Sequence, residues 1–272
     1  MKKDRHIEIM GILNLTDDSY FAGSRCADVS AAMTRLELML SEGADIIDIG
    51  ACSTRPGSLP VGENEEWRRL EPVLKEIRKS FPSVQVSIDT YWSSVVRKAY
   101  EIVGPFIVND ISAGEDDPEM LDTVGRLGLR YIAMHKRGTP ADMQSRAIYD
   151  NVVEEVASYF LEFAARADAY GVSEWVMDPG FGFAKTVEQN YALLNNLDKI
   201  KSRVSSCGFS PKILVGVSRK SMIYKLLGIS PEESLPATQV VHLASLQHGA
   251  DILRVHDVAE AVRTVRLFNV LD

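Results

Sequence analysis

Asp178-Pro179-Gly180-Phe181-Gly182-Phe183 follows a short apolar run, Glu174-Trp175-Val176-Met177, that reads as a buried strand. A carboxylate at the end of such a strand costs free energy unless it is paired or binds something. Two glycines and a proline let the backbone turn sharply and come close to a ligand. The hexapeptide therefore sets a fixed negative charge, flanked by aromatic rings, at the mouth of whatever its strand belongs to. Taken alone, it is also what a helix-capping turn looks like. Other apolar runs end in polar residues too: at Asn14, Ser53-Thr54-Arg55, Asp89, Asn109, His135, Ser218-Arg219-Lys220 and Arg254-Val255-His256.

These ends sort by chemistry. Asp89, Asn109 and Asp178 are acceptors, with the Asn amide able to donate as well, and together they suit a flat heterocycle bearing several N–H donors. Arg55, Arg254 and His256 suit phosphate, because Arg offers a planar fork of donors and His adds one more. Lys220 follows Ser218-Arg219 near a predicted helix start, where backbone N–H groups also favour anions. Asn14 stands beside the acidic pair Asp17-Asp18, and a neutral oxygen ligand plus diphosphate oxygens suits a Mg²⁺ that keeps several waters. Polarity alone thus suggests a heterocycle at the floor of a site and a phosphorylated group at its rim, without naming a reaction.

The elements that must position these groups are short. Apolar runs at Glu8 to Asn14, Asp45 to Gly50, Val84 to Asp89, Pro105 to Val108, Leu129 to Met134, Glu174 to Met177, Lys212 to Gly216 and Asp251 to Val255 read as eight strands. Between each pair lies a segment with helical periodicity. The first runs from Ser30 to Ser41, with Met33, Leu36, Leu38, Met39 and Leu40 as its apolar face. The clearest runs from Asn151 to Tyr170, with Val152, Val153, Val156, Phe160, Phe163, Ala164 and Ala167 on one face. A helix from Val258 to Val270 closes the chain. Eight βα units match an α/β fold of the closed (β/α)₈, or TIM barrel, class, whose chemistry sits at the C-terminal ends of the strands. An open doubly wound sheet is the alternative, but the Gly-rich fingerprint of its first turn is missing here. No linker or low-complexity stretch divides residues 1–272, so they read as a single domain.

Composition narrows the function. The chain has 272 residues, 46% of them hydrophobic, which is ample for a large core. A net charge of −8 and the lack of any basic run argue against nucleic-acid and anionic-membrane partners. Cys26, Cys52 and Cys207 are odd in number, far apart and without metal-ligand spacing, which suits a reducing cytosol. The first apolar run is short and broken by Glu8, so it reads as a strand and not as a signal peptide or membrane span.

In order along the chain, Met10-Gly11-Ile12-Leu13-Asn14-Leu15-Thr16, Ser53-Thr54-Arg55-Pro56-Gly57, Ile107-Val108-Asn109-Asp110-Ile111, the 178–183 hexapeptide, Gly216-Val217-Ser218-Arg219-Lys220-Ser221 and Arg254-Val255-His256-Asp257 resemble the dihydropteroate synthase family. The resemblance runs from the first strand to the last helix. It implies a cytoplasmic, homodimeric, sulfonamide-targeted transferase of folate biosynthesis. Its substrates would be the small molecules 6-hydroxymethyl-7,8-dihydropterin diphosphate and 4-aminobenzoate, joined to give 7,8-dihydropteroate and diphosphate. By the family pattern Asp89, Asn109, Asp178 and Lys220 hold the pterin. Asn14 ligates Mg²⁺ on the diphosphate, which Arg55, Arg254 and His256 also contact. Thr54, Pro56, Phe183, Lys220 and Ser221 border the aminobenzoate. Asp178, Lys220, Arg254 and His256 are the groups tied to catalysis.

The chain departs from the family pattern at three places. The first loop reads Thr16-Asp17-Asp18-Ser19-Tyr20-Phe21-Ala22-Gly23, and Ala22 replaces an acid. Cys52 stands where a Glu is common, and reads as inert filling. Lys136 and Arg137 add positive charge after His135, and read as a solvated loop. Two other functions share the barrel. A pterin-dependent methyltransferase would work beside a corrinoid module, for which these residues leave no room. A silent pterin-binding paralogue would lack some of the groups named above.

Overall fold

The computed structural model describes residues 6–15, 25–52, 61–139 and 142–271, with the backbone alone at 25–28 and 144. The predicted rim residues Thr54, Arg55 and Pro56, and the loop carrying Ala22, lie outside the described residues. Eight parallel strands close into a barrel in sequence order. They are β1 (Glu8–Asn14), β2 (Ile46–Gly50), β3 (Gln85–Asp89), β4 (Ile107–Asp110), β5 (Arg130–Met134), β6 (Trp175–Asp178), β7 (Lys212–Val215) and β8 (Ile252–Val255). β8 pairs with β1 to complete the ring.

Helices surround it: α1 (Arg25–Glu42), α2 (Glu63–Ser80), α3 (Ser93–Val103), α4 (Met120–Leu127), α5 (Val152–Ala169), α6 (Val187–Leu194), α7 (Leu197–Ser205), α8 (Ser221–Leu227), α9 (Leu235–Gln247) and α10 (Val258–Leu271). On α5 the predicted face is buried apart from Val153, which is half-exposed. Leu38 of α1 is a correction: it is 45% exposed, so the inward stripe is Met33, Leu36 and Met39. Two crossovers hold a pair of helices each, where the sequence suggested one segment. Asn195 and Asn196 interrupt the first pair, and the 228–234 turn, which carries Gly228 and Pro231, interrupts the second. Among the described residues, no helix is long and apolar enough to cross a membrane.

Side chains along a barrel strand alternate between the interior and the helices. Seven of the interior positions form a closed apolar layer: Met10, Ile46, Ile107, Ile132, Val176, Leu214 and Ile252, each at most 1% exposed. Below it, at the N-terminal end, Glu8 accepts both guanidinium Nη atoms of Arg130 at 3.0 Å and Lys212 Nζ at 2.6 Å. Burial would raise the Glu8 carboxyl, but these two cations hold it at about 2. Above the layer, one alternation further along, the same strands present Asp48, Asn109, Asp178 and Arg254. The site is thus the next interior tier above an apolar floor.

Candidate active site

Asn14, Gly50, Asp89 and Asn109 stand in register across β1 to β4, and Met134 pairs with Asp178 across β5 and β6. Lys220 follows β7 and His256 follows β8. Every described residue of the sequence-derived set therefore lies at one mouth, the C-terminal end of the barrel.

The centre of the tier is a residue that sequence reasoning passed over. Asp48 is fully buried and accepts from Ser87 Oγ at 2.6 Å, from Asn109 Nδ2 at 3.2 Å and from Arg254 Nε at 2.7 Å. Arg254 Nη2 also reaches Asp89 Oδ2 at 3.0 Å. The sequence reading set Arg254 among the rim phosphate groups. Two of its guanidinium nitrogens are instead committed to carboxylates inside the barrel. Burial, together with the charges of Asp48, Asp110 and Asp178, pushes the Asp89 carboxyl up, and Arg254 opposes this. A carboxylate set among apolar neighbours, Ile46-Ile47-Asp48-Ile49, was the sequence signal for Asp48.

Asp178 is 8% exposed. Its Oδ1 accepts from the Gly180 N–H at 2.8 Å, the tight turn that the glycine permits. Burial raises its pKa, while Lys220, the Gly180 N–H, Arg254 and Lys185 pull it back. Lys220 donates to the Phe181 carbonyl at 2.6 Å and sits 4.9 Å from the centre of the Phe183 ring. Burial lowers the Lys220 ammonium to about 8, against the attraction of Asp178. The result is a carboxylate, a lysine and an aromatic wall on one side of the cup, facing the Asp89–Arg254 pair on the other.

At the rim, Ser218 Oγ receives the His256 backbone N–H at 3.2 Å and lies 3.1 Å from its Nδ1. Arg35 donates to the His256 carbonyl at 2.6 Å. Arg219 grips Asp257 with two contacts of 2.8 and 2.9 Å, which fixes the loop after β7 against the start of α10. Ser221 opens α8. Lys136 and Arg137 are half-buried in the loop after β5, and each is ion-paired there. Lys136 pairs with Asp116 at 2.5 Å, while Arg137 pairs with Glu155 and lies 3.8 Å from the Tyr149 ring centre. Burial pushes the Cys52 thiol up, in keeping with an inert role.

Among the described residues, no group of three His, Cys, Asp or Glu side chains could hold a metal ion. A Mg²⁺ that keeps most of its waters needs only one or two protein oxygens beside phosphate. Asn14 Oδ1 and Asp89 Oδ2 lie 3.5 and 3.6 Å from where a Cβ on Gly50 would stand, so the absence of a side chain there leaves an oxygen-lined recess. That recess fits Asn14 as the neutral ligand of such an ion.

Residues 10–256 match the pterin binding enzyme family. The chain belongs to that family. It is 39% identical to the dihydropteroate synthase of Escherichia coli K12 over 264 residues, covering 96% of this chain and 90% of the relative. Among solved structures, it resembles the Yersinia pestis dihydropteroate synthase with a sulfonamide drug, at 34% identity and a TM-score of 0.88, covering 98% of this chain and 94% of the other. The Xanthomonas albilineans dihydropteroate synthase with 4-aminobenzoic acid is 34% identical with a TM-score of 0.87, covering 98% and 93%. In this pterin binding enzyme the match spans both Asn14 and Arg254, so the whole tier described above falls within it.

Proposed function

We propose that this chain joins 6-hydroxymethyl-7,8-dihydropterin diphosphate to 4-aminobenzoate, the dihydropteroate synthase reaction. The observation that carries it is Asp178, a buried carboxylate above an apolar floor at the mouth of the barrel, with Oδ1 held by the Gly180 N–H. A pterin edge presents a ring N–H and an exocyclic amine side by side, and a carboxylate accepts from both. Asn109 and Asp89 supply further polar contacts, and Lys220 closes the pocket from above Phe183. The C–O bond to diphosphate breaks first, and its electron pair leaves with the diphosphate. The aniline nitrogen then uses its lone pair to form the new C–N bond and afterwards loses a proton. His256 and Arg55 receive the leaving group, and Arg254 adds positive charge from beneath. Asn14 would hold Mg²⁺, whose chemistry is to neutralise charge developing on the diphosphate. Phe183, Ser221, Thr54 and Pro56 border the aminobenzoate in this reading, and sulfonamides compete there.

Exposed Val240, Leu267, Val270 and Leu271 on α9 and α10 support a homodimer. Three cysteines, odd in number, far apart and without metal-ligand spacing, support the cytoplasm. Diphosphate release measured with each component omitted tests the reaction. Release that requires both substrates and Mg²⁺ is the expected result. Release without 4-aminobenzoate, or none with all present, overturns it.

A further inference from the structure

We propose that Lys185 is the positioning residue of the pterin pocket: its ammonium, seated against His135, fixes the 178–183 turn and with it Asp178 and Phe183. The inference rests on the reading of Asp178 given above.

Lys185 is 4% exposed, deep for a residue type that is almost never fully buried without a partner. Its Nζ lies 3.0 Å from His135 Nδ1, 2.9 Å from the Gly180 carbonyl and 2.9 Å from the Phe183 carbonyl. An ammonium has three N–H groups, which these short contacts use, with the His135 carbonyl a longer contact at 3.5 Å. Two acceptors belong to the turn that carries Asp178, and the third belongs to the end of β5. One side chain therefore ties the turn to the neighbouring strand.

The turn needs such a tie. Gly180, Gly182 and Ala184 alternate in the left-handed region, with φ of 69°, 84° and 51°. For Ala184 that conformation is strained, because its Cβ crowds the following carbonyl. A Cβ on Gly180 would stand 1.9 Å from the His135 carbonyl oxygen, so the turn is pressed directly onto β5. On its far side Asn190 of α6 accepts from the Gly182 N–H at 2.8 Å and donates to the Thr186 carbonyl at 2.7 Å. Lys185 and Asn190 hold the turn from opposite sides.

His135 is suited to be the acceptor. Burial, with Lys185 and Arg137 nearby, keeps its ring well below the usual histidine range and hence neutral. The Tyr159 ring meets it edge-on at 4.9 Å and fixes its plane. No carboxylate accepts a hydrogen bond from Lys185 among the described residues. Burial lowers the Lys185 ammonium to about 7, against the attraction of Asp178, so its charge is full on the acidic side; the other charged groups facing the two are Lys220, Arg137, Arg254 and Asp89. An apolar side chain would fill the same space without the cost of a buried cation. The cation holds the two carbonyls and favours the ionised Asp178 that a pterin requires.

The test compares wild type, Lys185→Met, His135→Phe and Asp178→Asn. Binding of the pterin diphosphate is measured by calorimetry from pH 5 to 9, alongside KM for each substrate. Lys185→Met is expected to weaken pterin binding about tenfold or more, with a much smaller change in the KM for 4-aminobenzoate. The acidic limb of its pterin binding is expected to move to higher pH, because Asp178 has lost a neighbouring cation. A mere packing role would lower thermal stability and leave that limb in place. If Lys185→Met does not fold, His135→Phe decides, since it removes the acceptor and leaves the lysine. In Lys185→Met, wild-type pterin affinity and an unmoved limb overturn the proposal; in His135→Phe, where the cation stays, wild-type pterin affinity alone overturns it. Unchanged affinity in Asp178→Asn overturns the reading of Asp178 instead, so the two failures are distinct.

Discussion

Arg254 on β8 reaches past β1 and sets its guanidinium between two carboxylates, 2.6 Å from Asp48 on β2 and 3.0 Å from Asp89 at the end of β3. Three strands are joined by one side chain at the level where the ligand would rest. The cation is needed there because Asp48, Asp89, Asp110 and Asp178 would otherwise repel one another in a buried space.

Asp48→Asn keeps the shape and removes the charge that holds Arg254. Breaking one side of a buried pair costs on the order of 3–5 kcal/mol. The expected outcome is a loss of that order in denaturant unfolding, together with a fall of at least about tenfold in kcat/KM for the pterin substrate. A variant with wild-type kinetics and stability would show that Arg254 is held by Asp89 alone.

Asp178→Asn turns an acceptor into a group that points one donor at a donor on the ring. The expected loss in pterin affinity is on the order of 2–4 kcal/mol, read by calorimetry with the pterin.

Glu66 on α2 is fully buried, and neither carboxylate oxygen makes a hydrogen bond of good geometry among the described residues. Burial raises its pKa from 4.5 to about 7, with the Thr90 hydroxyl opposing and Asp89 and Glu63 adding to the rise. The native state thus binds a proton that the unfolded chain has released between these values, so this contribution to stability is full below 4.5 and is lost as pH rises through 7. Replacing Glu66 by Gln removes the dependence. Denaturant unfolding at pH 4.5 and pH 8 is expected to shift in favour of Glu66→Gln by on the order of 2–3 kcal/mol across that range. Parallel pH profiles for the two proteins would refute it.

The strands were legible because each is a short apolar run with a polar end, and that signal is local. Asn14, Asp89, Asn109 and Asp178 were found through it. Asp48 was missed because its importance depends on which way the strand faces and on a register with β3 and β8 that sequence does not display. Lys185 was missed for a similar reason: its partner His135 is fifty residues away, and they meet only because the turn runs left-handed. The ion pair of Arg137 was not legible because its partners, Glu155 and Tyr149, come from α5 and the segment before it.

The acceptor is expected to bind after the pterin diphosphate. If diphosphate departure creates the electrophile, water must be kept out while the amine arrives. Titration of 4-aminobenzoate, or a sulfonamide, is expected to show tight binding with Mg²⁺-diphosphate present and weak binding without it. Equal affinity in both would rule out the ordered mechanism and leave the synthase reaction standing.

The seven apolar side chains under Asp48 make the barrel a blind-ended shaft. Anything that settles on Asp178 has one way in and must back out along the same path. A molecule lodged higher up bars the exit of the one beneath it. Turnover is then a matter of queueing: the first arrival departs last, unless the two have become a single molecule. Joining the substrates is the step that frees the bottom of the shaft.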